Sequence, residues 1–220
     1  MKKTTLFLFI FIVFFSACAK NKKDMFSDYN LSDKAWLEKI ISNIKDDDLE
    51  KADSNYVSLY SEHINSPLLS SAMLILSNAH ADAKEYLLAN YYLDEYNKLY
   101  GGKKNSDWIN YLKIKNNFYA FKLPRRNQYL MLETLKSIET FKVAYPNSKY
   151  LEHIKTIETK LNLTQHMLDI DIRNLYKRMN HDVSVDIYNE KIKNNNLNEI
   201  QFIEPKSPWY RKIFESSYIF

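Results

Sequence analysis

From residue 32 onward, apolar side chains return every three or four positions, the spacing of one face of an α-helix. Trp36, Leu37, Ile40, Ile41 and Ile44 make the first stripe, with Ser32 or Asp33 placed to cap it. Ala52, Tyr56 and Leu59 predict a second helix over 49–62. The run Asp46-Asp47-Asp48 puts negative charge at its start, where the helix dipole favours it. Three adjacent carboxylates cannot all face one ion, so this run reads as a cap and not as a metal site. Asn65-Ser66-Pro67 breaks the chain before a third helix over 68–81, whose stripe is Leu69, Met73 and Leu76. Tyr86, Ala89, Leu93, Tyr96 and Tyr100 predict a fourth over 83–100, closed by Gly101 and Gly102 in a left-handed cap. A fifth spans 106–121, and Pro124 with Arg125 and Arg126 marks a loop.

The second half continues the pattern. Met131, Leu135, Ile138, Phe141 and Tyr145 define a helix over 128–145, ended by Pro146-Asn147-Ser148. Leu151, Ile154, Ile157 and Leu161 define one over 148–161, and Leu168, Ile172, Leu175 and Met179 another over 163–179. Asn180 suits a turn before a last helix over 182–193, and Asn194-Asn195-Asn196 ends the regular part. Only two glycines occur, which disfavours an all-β fold with its glycine-dependent turns and bulges.

Three of these helices superpose. Ala52, Tyr56, Leu59 and His63 align with Ala89, Leu93, Tyr96 and Tyr100, and these with Thr134, Ile138, Phe141 and Tyr145. One further helix lies between each pair. Helix pairs at such a period predict an all-α, tetratricopeptide-like superhelix, in which each pair buries its apolar face only against its neighbours.

The first 31 residues differ from the rest. Lys2 and Lys3 precede an apolar run from Leu6 to Phe15, then the small Ser16 and Ala17, as in a secretory signal. The run is shorter than the roughly 20 apolar residues that span a bilayer. The single cysteine, Cys18, excludes an intramolecular disulfide. Its place directly after Phe15-Ser16-Ala17 resembles the lipobox of bacterial lipoproteins. That resemblance implies cleavage before Cys18, diacylation of its thiol and acylation of the new amino terminus. Ala19 after it, where Asp is absent, implies release to the outer membrane. The expected organisation is a leader over 1–17, a lipidated tether over 18–31, a helical repeat domain over 32–196 and a tail over 197–220 that carries Trp209, Tyr210, Ile213 and Phe214.

Charge and chemistry narrow the functions. The 31 basic residues stand against 27 acidic ones, and two of the basic ones lie in the leader. No concentrated basic face marks a nucleic-acid binder. The five histidines, His63, His80, His153, His166 and His181, form no recognised metal spacing. With glycine only at 101 and 102, no phosphate loop, nucleophile elbow or dinucleotide fingerprint is possible. Neither an enzyme nor a cofactor is expected. Tyrosine, present 17 times, offers contact area and a hydrogen bond at low entropic cost. Tyr56, Tyr60, Tyr92 and Tyr96 are therefore the candidates for partner contact on the superposed helices.

The stretch Phe141-Lys142-Val143-Ala144-Tyr145-Pro146-Asn147-Ser148-Lys149-Tyr150 resembles the Tyr-Pro-x-Ser-x-Tyr element of the BamD (YfiO) family of outer membrane lipoproteins. Other features keep the family order. Cys18 precedes a short tether, and Asn65-Ser66-Pro67 is a degraded form of the same loop. Trp108-Ile109-Asn110-Tyr111-Leu112 resembles the aromatic-rich helix, and Arg125-Arg126-Asn127-Gln128 the basic loop before the third repeat. Residues 163–176, followed by Lys177-Arg178-Met179-Asn180, resemble the family's long helix. His63, Ser184, Tyr188 and the Pro205-Lys206-Ser207-Pro208 ending depart from the pattern. The resemblance implies a scaffold of the β-barrel assembly machinery, held to the membrane by lipid and facing the periplasm. Its N-terminal repeats would receive unfolded outer membrane proteins. Its C-terminal repeats, around Arg173, Lys177 and Arg178, would contact a BamA-type barrel subunit. The alternative is another tetratricopeptide-type envelope lipoprotein serving cell-wall or Tol–Pal functions.

Overall fold

The computed structural model describes residues 29–101, 106–121 and 126–195. Eight α-helices run through them: α1 (Asp33–Lys45), α2 (Leu49–Glu62), α3 (Leu68–Asp82), α4 (Tyr86–Tyr100), α5 (Ser106–Ala120), α6 (Gln128–Ala144), α7 (Leu151–Arg178) and α8 (Asp182–Lys193). Contacts join consecutive helices, and also α1 with α3 and α5 with α7, as in a stacked array. The fold is the expected all-α, tetratricopeptide-like one. Leader, Cys18, Pro124, Arg125 and the tail all lie outside the described residues.

Capping follows local chemistry. The Ser32 hydroxyl accepts from the Ala35 amide at the start of α1, and the Asp48 carboxylate from the Lys51 amide at the start of α2. Asp48 also pairs with the Lys51 ammonium. The acidic run is thus a cap and a turn.

Three helix–helix connections share one turn. Asp47, Lys84 and Asn180 have φ of 60°, 66° and 57°, in the left-handed region. In each case the next amide closes a six-residue ring: Asp48 to Asn43 O, Glu85 to His80 O, and His181 to Tyr176 O, at 2.9, 2.8 and 3.1 Å. Asn180 is the turn residue expected.

Three expectations need correction. Gly101 does cap α4, but with φ −68° and ψ 81° it is not left-handed. Glycine fits there for another reason: a Cβ would run into the Asn97 carbonyl. The separate helices expected over 148–161 and 163–179 are one helix, α7, of 28 residues. Nothing between Leu161 and Leu163 forces a break. The Thr164 hydroxyl bonds back to Lys160 O at 2.8 Å, and Ile154, Ile157, Leu161 and Leu168 continue one buried stripe. The fourth helix also starts at Tyr86 and not at 83, because Ala83, Lys84 and Glu85 form its turn.

Two apolar clusters hold the array. The first joins Trp36, Ile40, Leu59, Leu69, Met73, Leu76 and neighbours from α1 to α4. The second joins Ile114, Phe121, Met131, Ile138, Phe141, Ile154 and Leu161 from α5 to α7. The aligned positions Ala52, Ala89 and Thr134 are 0%, 0% and 1% exposed, so the repeat is structural. Between α4 and α5 lies a polar seam. Asn116 donates to Asn90 at 2.9 Å, Asn90 donates to Asn117 at 2.7 Å, and Lys113 pairs with Asp94.

Candidate functional site

The aromatic side chains of α2 and α4 separate into a floor and a face. Tyr56 and Tyr92 are 7% and 4% exposed and meet edge to face at 5.3 Å, so both belong to the core. Burial raises both phenols above the usual tyrosine range, helped by nearby tyrosines and Glu95 at Tyr56 and by Asp53 at Tyr92. Both therefore lie beneath the surface and support the aromatic residues around them. Tyr60 is exposed and lies 6.2 Å from Tyr56, while Tyr96 is half-buried against the first cluster. Tyr91, at 5.3 Å from Tyr92, and Tyr100, at 5.8 Å from Tyr96, are also exposed. Ring contacts run without a break from Tyr60 through Tyr56 and Tyr92 to Tyr91, at 6.2, 5.3 and 5.3 Å. The face is an exposed patch of tyrosines resting on two buried ones.

Beneath it sits an ionic cluster that the histidine pattern did not reveal. His80 has no exposed surface. Its Nδ1 is 2.7 Å from Glu85 Oε2 and its Nε2 is 2.9 Å from Asp53 Oδ1. Tyr92 donates to that same Asp53 oxygen at 2.6 Å and stacks on the imidazole at 5.6 Å. Burial opposes a charge on the ring, but the bonds to Asp53 and Glu85 outweigh it and lift its pKa. Its sequence neighbour Asp82 takes no part in these bonds. Asp53 lies 27 positions before His80, so no local spacing signals the pair.

The predicted basic group lies at the other end. Arg173 on α7 is half-buried and donates to Asn174 Oδ1 at 3.0 Å. Lys177 and Arg178 are exposed and line a groove together with Gln128, Leu168, Asp171, Ile172, Asn174 and Leu175. Arg173 does not line this groove. α8 buries no residue of its own and is held to α7 by Lys191 on Asp169 at 2.7 Å and by Tyr188 against Tyr176 at 5.8 Å.

The loops named by the Tyr-Pro-x-Ser element prove to be struts. The Ser148 hydroxyl donates to Asp107 at 2.7 Å, and Ser66 to Asp33 at 2.6 Å. Near the start of the described chain, Trp36 donates to Glu62 at 2.7 Å and the His63 ring meets Leu31 O at 2.6 Å. These contacts fix the lead into α1 against the end of α2.

Among the described residues, no three His, Cys, Asp or Glu side chains are grouped to hold a metal ion. None of their helices is long and apolar enough to cross a membrane.

Two comparisons place the chain among known proteins. The YfiO family, described as an outer membrane lipoprotein, matches residues 30–209. The outer membrane protein assembly factor BamD of Helicobacter pylori is 38% identical over 213 residues, covering 97% of each chain.

Proposed function

Because the chain belongs to the YfiO family of outer membrane lipoproteins, we propose that its helical array is a scaffold of β-barrel assembly, receiving unfolded barrel proteins at one end and the barrel subunit at the other. The single observation that carries the first half is the exposed tyrosine face on α2 and α4. Tyr60 and Tyr91 project from a floor of Tyr56 and Tyr92 that is locked by hydrogen bonds and packing. A rigid aromatic surface pays little entropy on binding. Unfolded barrel strands carry the apolar and aromatic residues that will face lipid, and these suit such a surface.

The second half rests on α7. Lys177 and Arg178, with one acid, Asp171, are exposed beside the apolar Leu168, Ile172 and Leu175, a mixed and net basic surface that fits a folded, partly acidic partner. We assign this end to the periplasmic domains of a BamA-type subunit. We assign Cys18 as the lipidated residue, where several acyl chains give the durable attachment that one chain does not. The scaffold acts by holding its partners together and needs no bond-making chemistry.

The test is purification of the native lipoprotein from intact envelope, with a photo-crosslinking residue at Tyr60 or Arg178. The expected result is unfolded barrel protein cross-linked at 60 and the barrel subunit at 178. Depletion is expected to lower many barrel proteins together. A preparation free of the barrel subunit, with a defect confined to the cell wall or to division, rejects the reading.

A further inference from the structure

We propose that His80 is a protonation-dependent lock on the aromatic face: with a proton on each ring nitrogen it holds α2, α3 and α4 in the register that displays Tyr60 and Tyr91, and loss of one proton frees Glu85 and loosens α4. The partner class rests on the reading above; the lock itself does not.

The geometry leaves the ring little choice. Both imidazole nitrogens point at carboxylate oxygens, Glu85 Oε2 at 2.7 Å and Asp53 Oδ1 at 2.9 Å. An ionised carboxylate only accepts, so each contact needs an N–H from the ring. A neutral imidazole has one N–H, and one contact must then become a clash of lone pairs. Asp53 also accepts from Tyr92 and is half-buried, whereas the Glu85 side chain is 49% exposed and has water to turn to. Glu85 is therefore the partner that leaves.

Glu85 is also the residue just before α4, and its own amide closes the left-handed turn onto His80 O at 2.8 Å. Its release acts directly on the entry of the helix that carries Tyr91, Tyr92, Tyr96 and Tyr100. Ser77, buried, holds the next turn of α4 through Ala89 O at 3.0 Å, so the motion is a loosening of the first turns and not a loss of the helix. The titratable groups that face the ring are Asp53 from α2, Glu85 from the α3–α4 turn and Tyr92 from α4, with Tyr56 of α2 behind Tyr92. α1, which also packs on α3, brings the apolar Trp36 and Ile40 to this core.

The direction follows from linkage. The folded-state pKa of His80 lies above its ordinary 6.5. The lock is therefore complete below 6.5 and opens as pH rises through the folded-state value.

The test uses the full-length lipoprotein in detergent micelles, with nitrogen-15 histidine and carbon-13 tyrosine, followed by NMR from pH 6 into the alkaline range. One histidine is expected to show a doubly protonated ring that titrates above 6.5, with Tyr91 and Tyr92 signals moving at the same midpoint. Glu85→Gln, which keeps the shape and removes one charge, is expected to lower that midpoint and carry the tyrosine transition with it. In parallel, a urea-unfolded outer membrane barrel protein is diluted onto the lipoprotein. Its binding is expected to weaken about tenfold across the same window, the equivalent of one lost contact of about 1.4 kcal/mol. Binding at no pH, with the NMR transition intact, refutes the functional reading and leaves the lock standing. A neutral His80 ring at pH 6, tyrosine signals that ignore its midpoint, or binding that stays level through it overturns the lock.

Discussion

Ser148, in the loop between α6 and α7, donates a 2.7 Å hydrogen bond to Asp107 at the start of α5, 41 residues earlier. Ser66 makes the same bond to Asp33 in the first half of the array, at 2.6 Å. In both loops the serine hydroxyl also accepts an amide two residues on, from Leu68 and Tyr150, at 3.2 Å. The serine of the Tyr-Pro-x-Ser element is thus a strut between one helix pair and the helix preceding it. Ser148→Ala is expected to cost about 1.5 kcal/mol, the low end for a hydrogen bond to a charged group because this one is only part-buried. It should add to the cost of Ser66→Ala, because the two struts share no partner. Urea unfolding of the single and double variants measures both.

Asp33 makes the first strut sensitive to acid. Its bond from Ser66, with the Lys34 amide second, holds its carboxyl below the ordinary 3.8. A carboxyl lowered in the folded state stabilises above its unfolded value, and that contribution disappears as pH falls through the folded one. Asp33→Asn should therefore weaken the protein near neutrality and flatten its loss of stability in acid. Urea midpoints taken between about pH 2 and pH 6 read this out.

Helix positions were largely legible because period-3.6 stripes survive in most elements, α8 excepted, and the superposed Ala52, Ala89 and Thr134 occupy equivalent buried sites. Boundaries were legible where side-chain chemistry dictates them, as at Ser32, Asp48 and Asn180. The continuity of α7 was not, because Asn162 only weakens a helix and cannot end one without help from packing. The aromatic face was half legible. Tyr60 and Tyr92 lie on neighbouring helices of the same kind, yet one is exposed and the other buried. That split depends on which helix lies against each face, and residue type does not report it. The His80 cluster was invisible for the same reason, since it joins three helices across 27 and 39 residues.

The division into face and floor has opposite consequences for stability and binding. Tyr60→Ala and Tyr91→Ala each remove an exposed ring and one aromatic contact, and should cost about 1 kcal/mol or less while weakening capture of unfolded barrel protein. Tyr56→Ala should cost about 3 kcal/mol by leaving a cavity between α2 and α4. Tyr92→Phe should cost about 1 kcal/mol by leaving Asp53 one donor short. Thermal unfolding beside a binding assay separates the pairs. A Tyr60→Ala protein that binds at full strength contradicts the assignment of the face.

α8 depends on few contacts, which makes its attachment easy to probe. The Asp169 side chain is 6% exposed and receives Lys191 at 2.7 Å. Lys191→Ala leaves that carboxylate buried without its cation. The expected cost is about 1–2 kcal/mol, moderated by the half-exposed ammonium. Because α8 buries no residue of its own, the loss should appear as faster amide exchange in α8 and the last turns of α7, with α1 to α4 unchanged. Recovery of the barrel subunit should fall with it if this end carries that contact.

The turn between α3 and α4 offers a substitution in the stabilising direction. Lys84 holds φ of 66°, a conformation that costs a residue bearing a Cβ roughly 1 kcal/mol. Asp47 and Asn180 occupy the same position in their turns but have side chains that tolerate it better. Lys84 is also exposed, so its side chain contributes little packing to weigh against the strain. Lys84→Gly removes the strain and loses part of the gain to the greater freedom of glycine in the unfolded chain. A net stabilisation of about 0.5 kcal/mol is expected. Asn180→Gly should give less, since asparagine starts from a smaller penalty. The check is the urea midpoint of the two variants against the parent chain, and a Lys84→Gly protein that unfolds earlier than the parent would show that the lysine side chain supplies a contact worth more than its strain.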